Sequence, residues 1–135
     1  MHHKIKESEK ITSFVLPIGA TVNMDGTSLY QAVAVIAMAQ LHMVDLSLSQ
    51  QLIIIVTASA ASIGAAAIPS AGLVLMILVL ESVGLNPAWI AIIFPVDRIL
   101  DMCRTVVNVT GDASVATIIA NSEGELDSQM RKTIS

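Results

Sequence analysis

The sequence predicts an all-α membrane protein: a broken transmembrane helix, a re-entrant helical hairpin and an amphipathic last transmembrane helix. Composition is the first ground. Of 135 residues, 54% are apolar, 13% are charged and 3% are aromatic. A soluble domain carries about 25% charged residues. Charge placement is the second ground. Between Ile11 and Asn121 the charges are Asp25, Asp45, Glu81, Asp97, Arg98, Asp101, Arg104 and Asp112, and none falls from Leu46 to Leu80. That run exceeds the ~20 apolar residues a spanning helix needs. The third ground is what composition excludes. Cys103 is the one cysteine, so no disulfide framework exists. The net charge is −4 with no basic block, which argues against a nucleic-acid partner. The chain is too hydrophobic for disorder. It shows no secretory signal, no Cys/His spacing for zinc, and no phosphate loop or serine-hydrolase elbow. No organic cofactor and no enzyme chemistry is expected.

Residues 1–10 form a polar head and 122–135 a polar tail, with the hydrophobic body between them. Lys4, Lys6, Lys10, Arg131 and Lys132 lie at the two ends, and the connections inside the body contain no basic residue. The positive-inside rule then puts both ends in the cytoplasm of a multi-pass protein of the cell's inner or plasma membrane.

The first segment, 11–41, is interrupted at its middle by Asn23-Met24-Asp25-Gly26-Thr27. A carboxylate at mid-bilayer is costly and marks function, while Asn and Gly are poor helix formers. The pattern predicts one half-helix to about Val22, an unwound stretch, and a second half from about Gly26 to Leu41. Unwound backbone at that depth must line a cavity or lie within protein. A simple loop joining two short helices is the alternative.

The second segment, 49–83, divides around Ser62 to Gly72, where Pro69 cannot continue a helix. Each arm is about 20 Å long at 1.5 Å per residue, short of the roughly 30 Å hydrocarbon core. This predicts a hairpin that enters and leaves on one side. One kinked spanning helix is the alternative.

The third segment, 87–120, is expected to start at Pro87 and to kink at Pro95. At 100° per residue, Asp97, Asp101, Arg104, Thr105, Asn108 and Asp112 share an arc of about 100°, with apolar residues elsewhere. Such a stripe faces protein or water rather than lipid. Asp101 and Arg104 are i,i+3 neighbours and can pair for purely structural reasons. The functional reading is a site for a charged solute: Arg104 forking onto a carboxylate, Asp101 taking an ammonium, and Asn108 and Asp112 offering hard oxygens to a small cation.

Three motifs together resemble the sodium-coupled dicarboxylate and glutamate symporter family: Asn23 to Thr27; Ser62-Ile63-Gly64-Ala65-Ala66 through Pro69 and Gly72; and Asp101 to Asp112. The resemblance covers about Ile11 to Glu125. It implies the C-terminal third of a transporter, namely the gate and binding-site part of a transport domain. It implies that Arg104 binds a substrate side-chain carboxylate and Asp101 the amino group. Thr27, Thr105 and Asn108 are further implied substrate contacts, with Ile68 and Gly72 at the hairpin tip. For sodium it implies one site from Gly19, Asn23, Asn108 and Asp112, and a second from Thr21, Met24, Ser62, Ile63 and Ala65, mainly through carbonyls. A third site uses Asn23 and Asp25, its other ligands lying upstream of this chain. Asp97 is implied to support the site. The hairpin becomes the extracellular gate, and Ala67 stands where the family usually has glycine in the tip.

Relatives that carry neutral amino acids lack the arginine at 104, and those that carry C4-dicarboxylates lack the acid at 101. The resemblance therefore implies a glutamate/aspartate symporter working by alternating access. Neutral amino-acid and C4-dicarboxylate symport are the alternatives within the family, and a non-transporting membrane module whose stripe only joins helices is the alternative outside it. A homotrimer, assembled through a scaffold not encoded in this chain, is implied for the full-length protein, and the chain by itself is expected not to transport.

Overall fold

The computed structural model describes residues 9–65 and 68–124. These form α1 (Glu9–Val22), α2 (Asp25–Leu41), α3 (Leu48–Gly64), α4 (Ala71–Ser82), a short 3-10 helix (Pro87–Ile92) and α5 (Phe94–Ser122). No strand occurs among the described residues. Ala67 and the polar tail beyond Gly124 lie outside them.

The break in the first segment falls at Asn23 and Met24. The Asn23 amide still closes the last turn of α1 on the Gly19 carbonyl, at 2.8 Å. The Met24 amide instead reaches Val22 O at 3.1 Å, and the Met24 carbonyl opens α2 by accepting from Thr27 and Ser28. Met24 has no side-chain cap to offer. Asp25 compensates: its carboxylate accepts from the Gly26 amide at 3.1 Å, and its charge suits the positive end of the helix.

α3 opens on a capping box, with Gln50 N donating to Ser47 Oγ and Ser47 N to Gln50 Oε1. It ends at Gly64. Past Pro69, Ser70 adopts a left-handed φ of 60°, and its carbonyl starts α4 by accepting from Leu73 and Val74. The arms pack antiparallel, tied near the base by the Thr57 and Ser82 hydroxyls at 3.3 Å.

The third segment departs from the single kinked helix expected from Pro87. Asn86 caps a 3-10 helix through the Ala88 amide at 2.9 Å, and that helix stops at Ile92. Pro95 begins α5 rather than bending it. Proline has no N–H to extend the preceding run, but it fits a helix's first turn, where that N–H has no partner. Trp89 on the 3-10 helix stacks on His42 at the end of α2, with centroids 3.7 Å apart.

Two apolar clusters hold the helices together. Ala34, Val35, Met38 and Ala39 of α2 pack on Ile54 and Ala58 of α3 and on Met76, Val79 and Leu80 of α4. Ile11 and Val15 of α1 pack on Ala116 and Ala120 of α5. Many outward apolar side chains stay uncovered, such as Phe14 and Phe94 at 70% exposed, as on a surface meeting lipid or further protein. Among the described residues no helix by itself is long and apolar enough to cross a membrane. α1 to α4 are short because the segments break, and α5 is long but carries the charged stripe.

Candidate functional site

The site lies between the two clusters, where α1 and α2 run antiparallel to α5. Their contacts step in register: Val15 with Ala116 and Ala120, Gly19 with Asp112, Gly26 with Asn108, and Tyr30 with Arg104. Gly26 makes the crossing possible. A Cβ there would sit 2.9 Å from both the Arg104 carbonyl and Asn108 Oδ1. The hairpin tip closes in similarly, since a Cβ on Gly72 would lie 2.6 Å from Arg104 Nη1.

A cavity of about 280 Å³ opens at this junction. All seven expected substrate contacts line it: Thr27, Ile68, Gly72, Asp101, Arg104, Thr105 and Asn108. Of the expected sodium ligands, Asn23, Met24, Ala65, Asn108 and Asp112 line it as well.

Arg104 is buried on one wall. Its Nη2 donates to Asp101 Oδ1 at 2.6 Å and to Asp97 Oδ1 at 3.3 Å. The Tyr30 ring lies 4.3 Å from the guanidinium carbon, a cation–π platform, and the Tyr30 hydroxyl donates to Asp97 at 3.2 Å. Nε and Nη1 of Arg104 are buried and have no hydrogen-bond partner among the described residues. Unmet buried donors on a cation are costly, and an anion in the cavity would satisfy them.

Asp112 presents the opposite need. It is buried, its carboxylate accepts from Asn23 Nδ2 at 2.9 Å, and no cation pairs with it among the described residues. A buried carboxylate holding one neutral hydrogen bond calls for a positive partner. Gly19 stands against that carboxylate, where any Cβ would strike Oδ1. Asn108 accepts from the Gly26 amide at 2.9 Å and donates to Thr27 Oγ1 and Met24 Sδ, both at 3.3 Å.

Other expected residues stand apart. Asp25 is exposed and turned to its own helix amide, while the Asn23 amide goes to Asp112, so no hydrogen bond joins their side chains. Thr21 is exposed and its hydroxyl bonds Ile18 O. Ser62 is buried but donates to Ser59 O, and Ile63 is exposed. Among the described residues no three His, Cys, Asp or Glu side chains gather as a metal cluster.

Sequence reasoning missed Tyr30 and Gln31. Gln31 is fully buried and donates from Nε2 to the Gly72 carbonyl at 2.7 Å, joining α2 to the hairpin, while its Oε1 has no partner among the described residues. Both sit three and four residues after Thr27, the helical spacing that puts them on its face, and that spacing was the available signal.

The sodium:dicarboxylate symporter family matches the chain over residues 1–122. The chain is 54% identical over 125 residues to excitatory amino acid transporter 3 of Oryctolagus cuniculus, covering 92% of this chain and 24% of that protein. It is 52% identical over 123 residues to an excitatory amino acid transporter of Caenorhabditis elegans, covering 90% of this chain and 24% of that protein. It is 54% identical over 121 residues to excitatory amino acid transporter 4 of Mus musculus, covering 89% and 22%. The chain thus spans about a quarter of the length of the curated relatives it matches.

Proposed function

Because the chain belongs to the sodium:dicarboxylate symporter family, we propose that it carries the binding site and gate of a sodium-coupled symporter for acidic amino acids, glutamate or aspartate. The family transports rather than catalyses. The observation that carries the proposal is Arg104: buried, with two nitrogens that have no hydrogen-bond partner among the described residues, on the wall of a cavity that Asp101 also lines. A substrate carboxylate satisfies the guanidinium and an ammonium satisfies Asp101. Two opposite charges on one wall favour a ligand that carries both a carboxylate and an ammonium over a plain dicarboxylate. Thr27, Thr105 and Asn108 supply neutral hydrogen bonds, and Ile68 and Gly72 bring the hairpin over the ligand. Asp97 and Tyr30 hold Arg104 in place.

Sodium is the co-transported ion. Asp112, with Asn23, Asn108 and the Gly19 backbone beside it, is the site best supported, since its buried carboxylate has no cation partner among the described residues. The set of Thr21, Met24, Ser62, Ile63 and Ala65 works through carbonyls, and Asn23 with Asp25 takes part in a third site. Cation binding there draws the unwound 23–24 stretch, α5 and the hairpin together, so that closure follows loading and alternating access follows closure. The protein is multi-pass in the cell membrane with both ends of this segment cytoplasmic, and trimeric through other parts of its chain.

Sodium-dependent binding of radiolabelled L-aspartate to the full-length protein tests this reading. Arg104→Ala is expected to lower affinity by at least about 100-fold, as loss of a buried charged contact does. Unchanged binding by that variant would refute the substrate role.

A further inference from the structure

Gly111 is the one glycine of α5, a helix of 29 residues. Glycine is among the poorest helix formers, and Gly111 has no left-handed φ that would require it. What its missing side chain admits is Asn23. A Cβ on Gly111 would lie 2.6 Å from Asn23 Nδ2, and 3.5 and 3.6 Å from Cγ and Oδ1 of the same amide. The Asn23 amide therefore rests on bare helix backbone, with its NH2 edge closest. That same Nδ2 donates to Asp112 Oδ1 at 2.9 Å.

Two glycines thus frame one hydrogen bond, Gly19 against its acceptor and Gly111 against its donor. An ionised carboxylate only accepts, so the amide must keep its NH2 edge toward Asp112. The main chain of Asn23 is fixed, since its N–H closes the last turn of α1 on the Gly19 carbonyl at 2.8 Å. Only the side chain can yield to a substituent at 111, and what it then gives up is the bond to Asp112. Both Asn23 and Asp112 border two spaces, the cavity of about 280 Å³ and an apolar one of about 250 Å³ between α1 and α5. A carboxylate released from Asn23 is free to turn toward either.

We propose that Gly111 is a positioning residue for the co-transported cation: by seating the Asn23 amide, it holds the Asp112 carboxylate in the orientation that a cation meets. The inference rests on the sodium reading of Asp112 above. Gly111 touches no ligand and acts through Asn23. Hydrogen-bonding partners of a metal-binding carboxylate set about 10–100-fold of its affinity. The fold itself tolerates a Cβ at 111, because every atom it meets belongs to the far end of one side chain. Alanine also suits a helix interior better than glycine. Stability without the ion and affinity for the ion should therefore part company, which a packing role for Gly111 does not produce.

Thermal unfolding of the purified full-length protein across a sodium titration, with choline holding the ionic strength, reads sodium affinity with no amino acid present. Gly111→Ala is expected to weaken sodium by about tenfold while melting no lower than the parent in choline alone. Asn23→Ala should weaken sodium similarly. The double variant should bind no more weakly than Asn23→Ala, because both substitutions break one hydrogen bond. Gly111→Ser adds the same Cβ and repeats the test. Unchanged sodium affinity in both variants at 111, or losses that add in the double variant, overturns the positioning role. So does a melting point in choline that falls in step with the sodium response in both. A sodium response that survives Asp112→Asn instead brings down the cation reading, and this inference with it; a response lost in Asp112→Asn but intact in both variants at 111 sinks this inference alone.

Discussion

At the scale of single residues, two groups stand out: among the described residues Arg104 has buried donors without acceptors, and the buried Asp112 carboxylate has no cation partner. A ligand that binds only the folded state stabilises it in proportion to ln(1 + [L]/Kd). Sodium should therefore raise the melting temperature of the full-length protein, and Asp112→Asn should remove most of that increment. Thermal unfolding with sodium and with a large inert cation such as choline checks this; an equal sodium increment in variant and parent contradicts it. The polar stripe of α5 was legible in the sequence, because 3.6-residue periodicity alone puts Asp101, Arg104, Asn108 and Asp112 on one side. Tyr30 and Gln31 were not. A tyrosine and an amide inside an apolar helix fit ordinary packing equally well, and what sets them apart is the neighbour each one meets: Arg104 across the helix crossing, and the Gly72 carbonyl of the hairpin.

At the scale of elements, Gln31 is the latch that holds the start of α4 to α2. The bond runs from a fully buried amide to a main-chain carbonyl at the hairpin tip, and breaking it leaves that carbonyl without this donor. Gln31→Leu is expected to cost the closed hairpin about 1–3 kcal/mol. Hydrogen exchange of the amides of residues 71–75 should accelerate accordingly, while exchange in the middle of α2 stays slow. Equal protection of the tip in variant and parent would exclude the latch. The broken first segment and the two-armed second one were legible because Asn23, Gly26 and Pro69 interrupt runs that are otherwise apolar. The start of the third segment was not. Pro87 and Pro95 both suit a helix's first turn, and sequence spacing does not reveal that each opens its own helix. The structure separates them at Ile93. The link from Asn23 to Asp112, 89 residues away in the chain, likewise depends on how the helices cross and not on local spacing.

For the whole molecule, two apolar clusters bracket a polar middle layer in which two half-helices, a hairpin and a long helix converge. The clusters account for how the segments stay together, and the middle layer for what they do. Apolar faces such as those of Phe14, Leu29, Val33 and Ile118 stay uncovered, as on surfaces that meet lipid or further protein. The all-helical class was legible from composition and the charge-free run. How the helices cross was not, because it depends on close approaches at Gly26 and Gly72 that appear in the sequence only as small residues. The central claim is coupled transport through the Arg104 cavity. Uptake of radiolabelled L-aspartate into proteoliposomes containing the full-length protein measures it directly. An inward sodium gradient should drive accumulation, dissipating the gradient should abolish it, and Arg104→Ala should eliminate it. Accumulation that proceeds equally without sodium, or that survives Arg104→Ala, would contradict the account.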